Sequence, residues 1–296
     1  MARILRIDYA FPRRTEIVLE GQDLLERGKS YVFAMNHSDR YNYWPFQYKL
    51  YREKLGYTAT WVKGKYYENQ FIGAFMDAMN NIPLPSRGYV ITTEFRRVVG
   101  RAPTSEEYRA LRDLADGTIT DAPDALADAV GDMKAFLRDF SNLFERMIER
   151  VMQLNRLALD LGQHLLVFPQ GTRSIQLSRG HIGVAQVAQH LGMDVVPVGC
   201  NGSDGLYPGN SPFSSGGRVV YRIGSPLRID GPELARFRVT EPFRPFTLEA
   251  GIHREAFQGM TDVVMDHINA LLDEPYRYAE NRDSDGVSGM DRFVGG

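Results

Sequence analysis

Short apolar runs alternate with amphipathic segments along most of this chain. Runs rich in β-branched and aromatic residues predict strands at 15–20, 31–35, 57–62, 164–168, 195–199 and 218–224. Apolar positions spaced three and four residues apart predict helices at 183–191 and 257–272. Strands that alternate with helices indicate an α/β fold, in which a mixed, mostly parallel sheet is flanked by helices.

A long helical pattern interrupts this alternation. Breakers near Gly100 and Gly117 are followed by an amphipathic pattern from Ala125 to Gln153, so we expect an inserted helical segment at about 100–150. Such a segment could cap a site, form an oligomer face, touch a membrane or pack as a helical hairpin. Around it, the sequence predicts a basic tail at 1–14, one α/β domain at 15–275 and a disordered tail at 276–296.

Composition narrows the class of protein. The chain has 296 residues, 43% of them hydrophobic and 24% charged, which is typical of a globular protein with one substantial core. A formal net charge of −2 argues against a general nucleic-acid binder. The single cysteine, Cys200, excludes an internal disulfide, and we expect its thiol to be buried. No Cys/His spacing indicates a zinc site.

The hydrophobic pattern also bears on location. No apolar run approaches the ~20 residues that span a bilayer. Charged residues interrupt the N-terminal apolar positions too often for a signal peptide. We therefore expect a cytoplasmic protein whose membrane contact is peripheral.

A polar cluster directly after the run at 31–35 provides the first candidate chemistry. It consists of Asn36-His37-Ser38-Asp39-Arg40-Tyr41-Asn42, which brings together an imidazole, a carboxylate and an amide. A histidine held by such a neighbour can act as a general base. A single loop histidine is more often only a hydrogen-bonded structural residue. The interpretation therefore depends on a second cluster.

The second cluster follows the apolar run at 165–167. It consists of Phe168-Pro169-Gln170-Gly171-Thr172-Arg173-Ser174. Gly171 allows a tight turn, while Thr172 and Arg173 supply a hydroxyl and a guanidinium of the kind that bind phosphate. This combination favours a functional role for both clusters.

Together, the two clusters resemble the glycerolipid acyltransferase family, whose members include the lysophosphatidic acid acyltransferases. That family carries a His-x4-Asp motif and, later in the chain, a Phe-Pro-Glu-Gly-Thr-Arg block. The pair Asn36-His37 and the block beginning at Phe168 match in the same order. Two positions depart from the pattern, because Asn42 stands in place of the aspartate and Gln170 in place of the glutamate.

The resemblance implies an acyltransferase. It would move a fatty acyl group from acyl-CoA or acyl-carrier protein to a hydroxyl of a (lyso)phospholipid-type acceptor, with His37 as general base and without a metal or cofactor. Asn42 would orient the imidazole, or Asp39 would supply a charge beside it. Backbone amides near Gly171, or the Arg173 side chain, would stabilise the oxyanion.

The resemblance also implies a site that binds the phosphate of the acceptor or of the carrier. Lys63 or Lys65, after a strand, and Arg87, after a turn, occupy the places of the family's second conserved block. Together with the 171–173 turn, they would bind the phosphate, arginine as a bidentate fork and lysine as a point charge. Without the two motifs, Lys63 and Lys65 would be interpreted as solvated loop charges.

Both departures from the motif remove a negative charge, and two other functions therefore stay open. One is a catalytically impaired homologue that binds an acyl chain or a lipid. The other is an acyl-thioester hydrolase, which would need the same histidine but no phosphate grip. A contact between the His37 ring and either Asp39 or Asn42 would support catalysis, and activity that survives loss of Arg87 and Arg173 would favour hydrolysis.

Overall fold

A computed structural model of the chain describes residues 2–64, 70–247 and 249–282. Within these residues one sheet contains β1 (Thr15–Glu20), β2 (Val32–Met35), β3 (Thr58–Lys63), β4 (Asn81–Leu84), β5 (His164–Val167), β6 (Val195–Asn201) and β7 (Gly217–Ile223). The order across the sheet is β1-β7-β6-β2-β5-β3-β4. Strand pairs β1–β7, β2–β5, β2–β6 and β3–β5 are parallel, and β6–β7 is antiparallel. The predicted α/β fold class is confirmed.

Helices connect these strands. In chain order they are α1 (Ala2–Ala10), α2 (Tyr43–Arg52), α3 (Gln70–Ala78), α4 (Arg87–Val99), α5 (Ser105–Ala115), α6 (Asp124–Val130), α7 (Met133–Asp160), α8 (Gly183–Leu191), α9 (Ser203–Leu206) and α10 (Arg254–Ala270). Among the described helices, none combines the length and the apolar character that crossing a bilayer requires. The chain divides into two compact units, Met1–Thr60 with Leu157–Gly296, and Trp61–Arg156.

The core of the first unit surrounds β2. All four residues of β2 are buried, as expected for a central strand covered on both faces, and this explains its uninterrupted apolar sequence. Around it pack large side chains that are fully buried, among them Tyr31, Phe33, Phe46, Leu165 and Tyr221. The rings of Phe33 and Phe46 meet edge to face, with their centroids 5.3 Å apart. The polar cluster that follows β2 therefore starts from a fully buried strand at the centre of this core.

Helices dominate the second unit, where the sequence predicts a helical insertion. The pattern from Ala125 to Gln153 predicts one continuous helix, but the structure divides it into α6 and α7. Gly131 adopts a left-handed φ of 78° and closes α6 by donating its N–H to Ala127 O. The Asp132 carboxylate then accepts the Ala135 N–H at 2.9 Å and begins α7. Hydrophobic periodicity alone does not reveal this break.

Both ends of the described chain are more ordered than the sequence predicts. The predicted basic tail forms α1, whose Leu5 and Tyr9 are buried. Near the other end, Ala279 N–H donates to Leu177 O at 3.0 Å and Arg179 N–H to Arg282 O at 2.7 Å. The rest of the predicted disordered tail, 283–296, lies outside the described residues.

One imidazole belongs to the core of the first unit. His164 begins β5, its Nδ1 accepts the Tyr31 N–H at 3.2 Å, and its Nε2 donates to Leu55 O at 2.7 Å. Only a neutral ring satisfies both bonds. Burial accordingly lowers the pKa of His164.

We expect acidification to destabilise the folded protein through His164. The unfolded chain takes up a proton there near the ordinary histidine pKa of about 6.5, and the folded protein does so only at lower pH. The contribution of His164 to the free energy of unfolding therefore falls as the pH drops below about 6.5. Replacing His164 by Gln should remove this component, whereas His253→Gln, on a half-buried turn, should keep it. Urea unfolding over this pH range tests the prediction, and equal pH dependence in wild type and His164→Gln would contradict it.

Candidate active site

The polar clusters begin where parallel strands end. β2 pairs with β5 through Ala34 and Val167, and with β6 through Met35 and Val198. The carboxyl ends of parallel neighbours lie at the same edge of a sheet, where ligands of α/β proteins commonly bind. The loop of residues 36–42, here called the His37 loop, and residues 168–174, here called the Phe168 block, therefore leave the sheet side by side.

Asn36 fixes the start of the His37 loop to β6. Its Nδ2 donates to Cys200 O at 2.9 Å, and its Oδ1 accepts the Cys200 N–H at 2.7 Å. One amide side chain thus satisfies both backbone groups of Cys200. As predicted, the thiol of Cys200 is buried, and burial raises its pKa.

Gln170 joins the Phe168 block to the backbone of His37. Its Oε1 accepts the His37 N–H at 2.9 Å, and its Nε2 donates to Ser174 Oγ at 2.8 Å. Ser174 Oγ in turn donates to Gln176 O at 2.6 Å. The Ser174 N–H donates to His37 O at 2.9 Å. Both backbone groups of His37 are therefore bound by the Phe168 block. The amide accepts from His37 and donates to Ser174 at once, which an ionised carboxylate cannot do, so the departure at Gln170 has a structural reason.

The side chain of Asn42 is available to the site because it does not cap α2. An N-cap side chain usually accepts the N–H of the second or third helical residue. In α2, the Trp44 N–H already donates to Tyr41 O at 2.8 Å, and the third residue, Pro45, has no N–H. Accordingly, Asn42 makes no side-chain capping bond, and its amide turns towards the His37 loop.

The Asn42 amide sets the tautomer of His37. Its Nδ2 donates to Asn36 O at 2.8 Å, which leaves Oδ1 facing His37 Nδ1 at 3.4 Å. An amide oxygen only accepts hydrogen bonds, so Nδ1 carries the ring proton and Nε2 keeps its lone pair. The backbone of Asn42 is also held, because Tyr221 Oη donates to its carbonyl at 2.6 Å. The arrangement suits Nε2 to accept a proton from a hydroxyl or from water.

One aromatic ring stacks on the imidazole and is itself in contact with a second. The ring of Phe168 stacks on His37 with centroids 4.1 Å apart and planes 19° apart. Tyr43 meets Phe168 edge to face at 6.3 Å. This stacking limits the rotation of the imidazole, in addition to the contact with Asn42.

The Asp39 carboxylate accepts hydrogen bonds from other residues of the His37 loop. Its Oδ1 accepts the Tyr41 N–H at 2.8 Å, and its Oδ2 accepts the Ser38 hydroxyl at 3.1 Å. Burial raises the pKa of Asp39 to about 6, against the opposing effect of the Ser203 hydroxyl and of these two donors. Of the two predicted orienting residues, Asn42 makes the contact with the ring, and Asp39 holds the turn of the loop.

The 171–173 turn lies in the Phe168 block beside the His37 loop. Gly171 has a left-handed φ of 66°, and a Cβ there would come within 2.8 Å of the His181 ring, so this position requires glycine. The Gly171 N–H donates to Phe168 O at 3.0 Å, and this amide is therefore already paired. The Thr172 side chain is half-buried and that of Arg173 is exposed. Their roles in binding a phosphate or an oxyanion stay predictions.

The other predicted phosphate ligands belong to the second unit or lie outside the described residues. Lys63 is exposed at the end of β3, and Lys65 is outside the described residues. Arg87 begins α4, donates to Ala115 O at 2.8 Å and pairs with the Asp116 carboxylate at 2.9 Å. These contacts bind the end of α5 and give Arg87 a structural role. Its predicted contact with phosphate stays untested.

Several residues that build the site were not among the sequence candidates. They are Asn36, Phe168, Gln170, Ser174 and Tyr221. Gln170 lies in a polar block after a buried strand, and this local pattern could have identified it as a site residue. The contacts of Asn36 with Cys200 and of Tyr221 with Asn42 depend on the order of the strands, for which the sequence contains no local signal. Within the described residues, no group of three or more His, Cys, Asp or Glu side chains could hold a metal ion.

Comparisons with known proteins identify a similarity of structure only. No protein-family model and no curated protein matches the chain. Among solved structures, it is similar to the crystal structure of the 1-acyl-sn-glycerophosphate (LPA) acyltransferase, PlsC, from Thermotoga maritima. The match covers 85% of this chain and 72% of that chain, with 17% sequence identity and a TM-score of 0.40. A score at this level assigns no role to any residue of the present chain.

We expect Gln170→Glu to destabilise the protein at neutral pH. A carboxylate would lose the bond to Ser174 Oγ and bury a charge, at a cost of about 2 kcal/mol or more. At acidic pH the protonated side chain can again donate, so the loss should shrink. The free energy of unfolding, measured against pH, tests this, with Gln22→Glu at an exposed position as the control. An effect as small as that of the control would show that the Gln170 bonds do not hold the site.

We expect Asp39→Asn to stabilise the protein at neutral pH. The folded protein takes up a proton at Asp39 with a pKa of about 6, and the unfolded chain does so only near pH 4, so the contribution of Asp39 to wild-type stability rises as the pH falls between these values. Asparagine keeps an acceptor for the Tyr41 N–H without the buried charge, and the gain near pH 7 should be on the order of 1–3 kcal/mol. Thermal unfolding against pH tests this, with the exposed Asp121→Asn as the control. A variant less stable than wild type at pH 7 would contradict it.

Proposed function

We propose that this protein is an acyltransferase that moves an acyl group from an acyl thioester to a hydroxyl acceptor. The observation that carries the proposal is the His37–Asn42 pair, in which an amide fixed by Asn36 O presents its oxygen to His37 Nδ1 at 3.4 Å. A histidine whose tautomer is set in this way has the form that a general base requires. The likeness of the two clusters to those of glycerolipid acyltransferases supports acyl-CoA or acyl-carrier protein as donor and a (lyso)phospholipid-type acceptor.

The reaction needs only proton transfer and positioning from the protein. His37 Nε2 takes the proton of the acceptor hydroxyl while the hydroxyl oxygen bonds to the carbonyl carbon of the thioester. The tetrahedral intermediate then collapses, the carbon–sulfur bond breaks, and the thiolate takes the proton back from the imidazolium. The products are an ester and a free thiol. Arg173 and Thr172 are the proposed partners of the acceptor or carrier phosphate, and Lys63, Lys65 and Arg87 are candidates only because the resemblance implies them.

The amide of Asn42 orients the ring without a charge. When His37 becomes an imidazolium, a carboxylate would stabilise it by a full charge, whereas an amide oxygen offers only a dipole. We therefore expect a weaker base than in a His–Asp pair. The same observation favours the second candidate, a homologue that binds an acyl chain or lipid without turnover.

We expect acyl-CoA to release its thiol in the presence of lysophosphatidic acid, and His37→Ala to lower the rate by about 10²- to 10⁴-fold. Asn42→Leu keeps the size of the side chain but removes both hydrogen bonds, so it should lower kcat more than it raises KM. Thiol release from a panel of acyl-CoAs, with and without the acceptor, measures these effects. His253→Ala is the matched control for the histidine.

The same measurement separates the candidate functions. Release that depends on His37 but not on an acceptor would identify a thioester hydrolase. Binding of acyl-CoA without thiol release, with either CoA or a carrier protein as donor, would identify the binding protein. Equal rates in wild type and His37→Ala would remove His37 from the mechanism and overturn the proposal.

A further inference from the structure

Helix α1 directs one apolar stripe into the protein and another into solvent. Leu5 and Tyr9 lie four residues apart and are buried, and the Tyr9 ring packs edge to face on Tyr48 at 5.3 Å. Ile7 and Phe11, also four apart, are offset by about 200° around the helix axis and are 68% and 75% exposed. Because the Phe11 N–H donates to Ile7 O at 3.0 Å, Phe11 continues the last turn of the helix. The folding of the first unit explains the inner stripe but not the outer one.

A third exposed apolar side chain lies in a loop that is hydrogen-bonded to α1. Phe213, in the loop between α9 and β7, is 66% exposed. The next residue, Ser214, donates its N–H to the Asp8 carboxylate at 3.1 Å, and its Oγ lies 2.8 Å from Thr15 Oγ1. These bonds hold the loop against α1. The exposed side chains of Ile7 and Phe11 on α1, and of Phe213 on the loop bonded to α1, are here called the α1 patch.

Positive charge borders the α1 patch. Three exposed side chains supply it, namely Arg6, Arg13 and Arg14, and none of them forms an ion pair within the described part of the chain. Among the nearby acidic groups, Glu16 pairs with Arg218 at 3.5 Å, whereas Asp8 accepts the Ser214 N–H and keeps one negative charge against the three arginines. This side of the protein is thus basic, although the whole chain has a net charge of −2.

We propose that the α1 patch docks this protein on the surface of an anionic lipid bilayer. Exposed aromatic and aliphatic side chains insert at the level of the lipid headgroups, and arginines around them pair with lipid phosphates. A second copy of the chain fits less well. In a two-fold symmetric dimer the same patches would meet, and the arginines of both copies would face each other without counter-charges.

The α1 patch is connected to the His37 loop. Tyr41, in that loop, donates its hydroxyl to Asn210 O at 3.0 Å, and Asn210 precedes Phe213 in the same loop. The hydroxyls of Tyr9 in α1 and Tyr207 lie 3.0 Å apart and connect the helix to the beginning of this loop. Docking through the α1 patch would therefore hold lipid against a loop that also contacts the His37 loop, which would serve an acyltransferase. This consequence rests on the proposed function, whereas the docking itself does not.

Vesicle co-sedimentation tests the docking directly and without any assay of catalysis. The probe is a phosphatidylcholine vesicle prepared with or without phosphatidylglycerol, at low and at high salt. We expect binding only to the anionic vesicles and weaker binding at high salt, because salt screens the arginines. Replacing Phe11 and Phe213 together by Ser should abolish the binding, whereas Ile252→Ser, which changes an 83% exposed side chain elsewhere, should not. All of these positions are exposed, so the variants should fold.

The charge contribution has its own variants. Changing Arg6, Arg13 and Arg14 to Gln should weaken binding about five-fold for each arginine lost. The same change at three exposed arginines elsewhere, Arg109, Arg146 and Arg254, should leave binding unchanged. Three results would overturn the proposal. They are no binding to anionic vesicles at low salt, equal binding by wild type and the Phe11/Phe213 variant, and a dimer in solution that the Phe11/Phe213 variant abolishes.

Discussion

The hydrogen bond from the Asn42 amide to the Asn36 carbonyl is the constraint on which the candidate site depends. It decides which end of the amide faces His37, and therefore which ring nitrogen carries the proton. The bond exists because α2 does not use Asn42 as a cap, since Pro45 offers no N–H and the Trp44 N–H is already bound. A feature of helix initiation thus determines the protonation of a catalytic candidate.

The two positions that depart from the family motif have the same physical reason for carrying an amide. Asn42 and Gln170 each use both the donor and the acceptor of a buried amide, Asn42 towards Asn36 and His37, Gln170 towards Ser174 and His37. A carboxylate at either position would face a partner that requires a donor. The contacts that hold His37 itself are therefore made by neutral amides. They position His37 and provide little electrostatic stabilisation of an imidazolium, which would make His37 a weaker base in the proposed reaction.

The sequence predicts the strands of the described sheet except β4, and the helices α8 and α10, because buried parallel strands form continuous apolar runs and surface helices repeat every three to four residues. It also predicts that His37 and the Phe168 block each follow a strand, and the order of the sheet makes these strands neighbours. It does not predict the break at Gly131, because a glycine inside an amphipathic pattern leaves the periodicity intact. The pairing of Asn36 with Cys200 depends on β2 and β6 being neighbours, which local patterns do not determine. For Arg87, the sequence suggested a phosphate ligand, but it contained no signal for the contacts that this side chain makes at the end of α5.

The contact between Asn36 and Cys200 makes the reactivity of the Cys200 thiol a measure of local opening. Both backbone groups of Cys200 are bound by the Asn36 side chain, and this cysteine is the only thiol in the chain. Because the thiol is buried and its pKa is raised, it reacts with an alkylating reagent only when β6 opens next to the start of the His37 loop. The rate at which the Cys200 sulfur is alkylated therefore measures how often this edge of the sheet opens, and no engineered probe is needed.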